Sequence, residues 1–157
     1  MGSDMNDSLL IGFKGRNNAS AILVQSLSPR CFLLTNSFAA LEKEIEGIET
    51  GYSTVYLFGV DKNLKDSFRI EKEAEKDGIR METCLDTDGI REKLEAAGIH
   101  TELSGNPTKY LCNEAYWHLL RKFDGKAVLI HIPTIKHYDE SWISKIRQAL
   151  QQTASQG

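Results

Sequence analysis

The 157 residues contain no apolar run near the roughly 18 needed to cross a bilayer, so no membrane partner is expected. The opening Met1-Gly-Ser-Asp-Met-Asn lacks the basic-then-apolar order of a secretory signal, and the expected location is cytoplasmic. Neither charge dominates. With 19 basic and 22 acidic side chains the formal net charge is -3, which gives no broad attraction for nucleic acid or anionic lipid. Cysteine is sparse: Cys31, Cys84 and Cys112 are odd in number and widely spaced, with no CxxC pair and no histidine at zinc-finger spacing. A disulfide framework or structural zinc is excluded on that pattern, and no cofactor is expected. Internal repeats and low-complexity segments are also lacking.

What is present fits an ordinary soluble protein, with 41% hydrophobic and 26% charged residues. The length is enough to bury one core without metal or disulfide help. A single α/β domain is expected over residues 5–150, with 1–4 read as a cloning remnant and 151–157 as a polar tail.

Apolar runs and helical periodicities alternate along the chain. Leu9 to Phe13, Cys31 to Thr35, Thr54 to Val60, Ile79 to Thr83, Ile99 to Leu103 and Ala127 to Ile132 read as strands. Helical spacing covers Ala19 to Leu27, the segment after the N-cap candidate Ser37, Asp88 to Ala97, Tyr110 to Arg121 and Ser141 to Leu150. Glu71-Lys-Glu-Ala-Glu-Lys reads as a solvated helix face with i,i+4 pairing. Alternation of this kind predicts an α/β sandwich with a largely parallel sheet and helices on both faces. In such sheets ligands bind beyond the carboxyl ends of the strands.

Two residues stand where that rim should be. Cys112 falls in the first turn of a predicted helix, after the turn Ser104-Gly-Asn-Pro-Thr, where unpaired N–H groups and the helix dipole favour a thiolate. The dipole contributes up to about 2 kcal/mol, or about 1.5 pKa units, so full activation also needs a nearby imidazolium. His131 ends the strand Ala127 to Ile132, on the face it shares with Ala127 and Leu129, while Val128, Ile130 and Ile132 face the other way. Taken by themselves these residues favour a structural reading, since cysteine is often buried and a strand-end histidine is often simply hydrogen-bonded. Cys31 and Cys84 read as buried or inert, Trp117 and Trp142 as packing residues, and His100, His118 and His137 lack partners at metal-ligand spacing.

The ordered set changes that weighting. Ser104-Gly-Asn-Pro-Thr-Lys-Tyr-Leu-Cys-Asn, followed by Leu129-Ile130-His131-Ile132-Pro133, resembles the active-site region of the pyroglutamyl peptidase I (pyrrolidone-carboxylate peptidase) family of cysteine peptidases. The chain is similar to a short, divergent member. Phe68-Arg-Ile-Glu71-Lys-Glu-Ala74 falls against the family's glutamate segment, and Gly12-Phe13 with Asn18-Ala19-Ser20 against its N-terminal loop. The resemblance implies a three-layer α/β/α sandwich of the phosphorylase/hydrolase type and a triad of Cys112, His131 and Glu71. It further implies substrate contacts from Phe13, Asn18, Tyr110, Leu111 and Arg80, a small peptide with a blocked N-terminus as substrate, and a homo-oligomer. Cleavage would release an N-terminal pyroglutamyl or similar small acyl group. The sequence departs from the family in three places: no Pro-Phe-Gly-Gly separates Phe13 from Asn18, Val60-Asp-Lys-Asn-Leu replaces Gly-Gly-Arg, and Pro107-Thr108-Lys109 replaces Ala-Gly-Thr. These departures keep open a non-catalytic relative that binds a metabolite or a protein partner.

Overall fold

The computed structural model describes residues 7–107 and 110–155. The expected remnant at 1–4, the end of the polar tail at 156–157, and Thr108 and Lys109 lie outside the described residues.

Six strands form one mixed sheet in the order β2-β1-β3-β8-β4-β7. They are β1 (Ser8–Phe13), β2 (Cys31–Leu34), β3 (Thr54–Val60), β4 (Phe68–Glu71), β7 (Thr101–Ser104) and β8 (Ala127–Ile132). All six residues of β1 and all six of β8 are buried, as near-continuous apolar runs must be when helices cover both sheet faces. From β2 to β8 the strands run parallel, so Phe13, Val60 and Ile132 end at one rim. β4 runs antiparallel to β8 and enters from that rim, which puts Arg69 level with His131 and Glu71 two pairs deeper, opposite Leu129.

The helices are α1 (Ala19–Leu27), α2 (Phe38–Glu46), α3 (Thr87–Ala96), α4 (Leu111–Lys122) and α5 (Ser141–Ser155). One core lies between the sheet and α2 with α4, and takes Leu57, Ala127 and Leu129 from the strands and Leu41, Ile45, Tyr116 and Leu120 from the helices. The other lies against α1, α3 and α5, and takes Phe58, Val128, Ile130 and Ile132. His131, Glu71 and Arg69 therefore lie on the α4 face, because Phe68 and Ile70 of the same strand fill the opposite core. Trp142 packs edge-on to Phe68 with ring centroids 5.1 Å apart, in keeping with its expected packing role.

Two sequence expectations are corrected. Residues 71–76 are not a helix: the end of β4 runs into a hairpin of β5 (Glu73–Lys76) and β6 (Ile79–Glu82). Asp77 and Gly78 both take positive φ, 52° and 79°, as a two-residue hairpin turn of the mirror-image type requires. Asp-Gly between short strands is the signal that outweighs the helical charge pattern. In addition, α5 continues to Ser155, through most of the segment expected to be a polar tail.

Candidate active site

Cys112 stands at the second position of α4, whose N-cap is Tyr110. Asn113 and Glu114 donate their N–H groups to Tyr110 O, which opens the helix. The sulfur lies over Gly59 of β3. A Cβ at Gly59 would sit 2.5 Å from Cys112 Sγ and 3.5 Å from His131 Cδ2, so thiol and imidazole converge on a spot that a glycine leaves open. Gly59 and His131 are partners in the β3–β8 ladder, which explains the convergence.

His131 is buried, and its Nδ1 is 2.9 Å from Glu71 Oε2. Two acceptors do not meet at that distance, so against the carboxylate Nδ1 carries the proton, and this bond sets the orientation of the ring. Glu71 is 3% exposed. Burial pushes its carboxyl up, but hydrogen bonds from His131 and Arg69, with the positive charge of the guanidinium, more than offset this and hold it below the usual carboxylate range. Its Oε1 is buried without a hydrogen-bond partner among the described residues. Tyr116 of α4 donates to the backbone oxygen of Glu71 at 2.7 Å and so ties the end of β4 to the helix that carries Cys112.

Two further charged residues, not selected by the sequence, join this cluster. Arg69 Nε is 2.6 Å from Glu71 Oε2, its Nη2 is 2.7 Å from Asp61 Oδ2, and Nη2 also approaches His131 Nδ1 at 3.3 Å. Asp61 Oδ1 accepts from Asn63 N–H at 2.8 Å. Strand alternation could have found Arg69, since it lies two residues from Glu71 and shares its face.

Burial pushes the Cys112 thiol up to about 12; Val60 N–H, which donates to the sulfur, opposes this, and the Asp61 and Glu71 carboxylates add to it. The helix start, which favours a thiolate but does not complete activation, does not prevail here: the resting residue is a thiol. The sulfur opens onto a cavity of about 520 Å³ whose wall includes Asp61, Arg69, Glu71, Tyr110 and His131.

The structure thus brings Cys112, His131, Glu71 and Tyr110 to one cavity and leaves others of the expected set elsewhere. Phe13 is buried in the core at the end of β1. Asn18 caps α1, accepting from Ser20 N–H at 2.9 Å. Arg80 projects from the hairpin, paired with Glu73 and Glu75. Leu111 packs against the core beneath α4. None of these four lines the cavity. Cys84 is exposed rather than buried, and Cys31 is partly buried.

No protein-family model and no curated protein matches the sequence. Solved structures do match the fold. Pyrrolidone carboxyl peptidase from Thermococcus litoralis is 17% identical with a TM-score of 0.78, over 95% of this chain and 93% of that one. The pyrrolidone carboxyl peptidase of Thermus thermophilus is 18% identical, TM-score 0.74, over 92% and 98%. Pyroglutamyl peptidase I from Bacillus amyloliquefaciens is 16% identical, TM-score 0.70, over 94% of each chain. At this identity the likeness is one of fold: the chain is an α/β protein with a mixed six-stranded sheet and the architecture of the pyroglutamyl peptidases.

Proposed function

We propose that this chain is a cysteine-type hydrolase of the pyroglutamyl-peptidase kind, acting on a small amide through Cys112, His131 and Glu71. The observation that carries the reading is the 2.9 Å bond from the His131 ring to a buried Glu71, on an imidazole that borders the same open point over Gly59 as the Cys112 sulfur. Glu71 fixes the tautomer, so that His131 Nε2 takes the thiol proton as the sulfur attacks the carbonyl. His131 then returns the proton to the leaving amine, and water hydrolyses the acyl-enzyme with the same base. Because the resting group is a thiol, proton transfer accompanies attack. The N–H of Cys112 at the start of α4 is placed to receive developing charge on the carbonyl oxygen, a role Arg80 does not share from the hairpin.

The fold it shares with pyrrolidone carboxyl peptidases supports a peptide with a blocked N-terminus as substrate. A cytoplasmic location and self-association go with the same reading; sedimentation velocity measures the latter. A second reading, a non-catalytic relative that binds a small metabolite or a protein, is favoured by the thiol's displacement to about 12. Hydrolysis of a pyroglutamyl fluorogenic amide by the wild type and by Cys112→Ala separates them. The catalytic reading expects turnover that the substitution abolishes. Equal turnover in both removes Cys112 from the chemistry, and a wild type inert toward pyroglutamyl and other small acyl amides favours the binding protein.

A further inference from the structure

The Cys112 sulfur reacts faster the more negative charge it carries, and its cavity already holds two carboxylates. Asp61 comes from the end of β3 and Glu71 from β4. Each opposes a charged sulfur, and a buried site screens that opposition poorly. The other titratable or charged groups on the cavity wall are His131 from β8, Tyr110 before α4, the exposed Lys62, and Arg69.

Arg69 is the cation that contacts both carboxylates. Its Nε reaches Glu71 at 2.6 Å and its Nη2 reaches Asp61 at 2.7 Å. A planar guanidinium suits this span, and a lysine's single ammonium does not. The β4–β8 register sets its place by pairing Arg69 with His131, and strand alternation puts Glu71 on the same face. Since Glu71 Oε2 accepts from both Arg69 Nε and His131 Nδ1, the guanidinium also fixes which oxygen the imidazole meets.

We propose that Arg69 is a positioning residue for the Cys112 reaction: one guanidinium holds Asp61 and Glu71 together and cancels the repulsion they would exert on a negatively charged sulfur. The proposal rests on Cys112 as the reacting group, but not on any substrate. It predicts a charge effect that a purely structural arginine would not produce.

The test is the rate of Cys112 alkylation by iodoacetamide from pH 6 to 9, read by peptide mass spectrometry, with the exposed Cys84 as an internal reference in the same sample. Arg69→Met is expected to slow Cys112 roughly tenfold, the equivalent of about one pKa unit, while Cys84 keeps its rate. Adding Asp61→Asn to Arg69→Met removes one of the uncompensated charges and is expected to recover at least about threefold of that loss, about half a pKa unit. A Cys112 rate within about twofold of wild type in Arg69→Met overturns the proposal, as does a slow single variant that Asp61→Asn fails to restore. Should Arg69→Met not fold, Asp61→Asn alone decides: it is expected to speed Cys112, and an unchanged rate overturns the role. These ratios between variants are distinct from the hydrolysis assay, so loss of the hydrolase reading and loss of the Arg69 role give different results.

Discussion

Gly59 controls where the Cys112 sulfur rests. Its place in β3 is dictated by the ladder, and a methyl group there would stand 2.5 Å from Sγ, closer than any van der Waals contact allows. Gly59→Ala is therefore expected to push the thiol off the imidazole, with an overpacking cost of about 1–3 kcal/mol. Denaturant unfolding measures the cost, and a fall in Cys112 alkylation relative to Cys84 reports the displacement; an unchanged alkylation ratio would show that the sulfur rests elsewhere. At this scale the sequence was partly readable. Cys112 and His131 are visible from helix position and strand alternation, but Glu71 is not, because its neighbours Lys72, Glu73 and Lys76 imitate an exposed helix face. It emerged only through the family likeness. Arg69 and Asp61 gain their meaning from the pairing of β4 with β8, two segments about sixty residues apart, and no local pattern encodes that register.

Among the elements, the β5–β6 hairpin is held to α4 by two side chains of that helix, Asn113 beside Cys112 and Trp117 further along. Asn113 Oδ1 accepts from Glu75 N–H at 3.0 Å, its Nδ2 donates to Glu75 O at 2.7 Å, and Trp117 Nε1 donates to Ile79 O at 3.1 Å. An amide that satisfies a backbone N–H and C=O together substitutes for a missing strand neighbour. Asn113→Ala should cost about 2 kcal/mol for two such bonds. In hydrogen exchange the hairpin amides should lose protection while those of β3 and β8 keep theirs; uniform loss across the sheet would mean that Asn113 supports the whole fold instead. Most elements were legible because long buried strands and amphipathic helices have different periods. The hairpin was half legible: Ile79 to Thr83 reads as a strand, whereas Glu73–Lys76 is short and charged, with no apolar alternation to mark it.

Across the whole molecule, the paired carboxylates make stability depend on acid. Asp61 and Glu71 are each pushed up by burial, yet the hydrogen bonds of Asn63 and Arg69 on the first, and of His131 and Arg69 on the second, bring both below their ordinary values. A lowered folded-state value means that the unfolded chain takes up protons first. The stabilisation is therefore complete above the ordinary carboxylate pKa of about 4 and is lost as pH falls through the lowered folded values. Urea midpoints are expected to be steady, as far as these groups are concerned, from pH 7 to about 5 and to fall below about pH 4. In Asp61→Asn the acid-dependent part of that fall should shrink, and an identical profile would exclude Asp61 as a contributor. The sandwich itself was readable from the alternation of elements, whereas the antiparallel placement of β4 between β8 and β7 was not, because crossover rules constrain parallel connections and say little about a strand that enters from the opposite end.

That inserted strand also bears on how the protein is made. β4 leaves the ribosome some sixty residues before β8, the strand it must join, and until then its β8-facing edge has no partner in the sheet. Glu71 and Arg69 therefore wait for His131, and Cys112 is synthesised before the histidine that shares its cavity. The cavity around Cys112 is therefore complete only once β8, the last strand of the sheet in chain order, has joined β3 and β4.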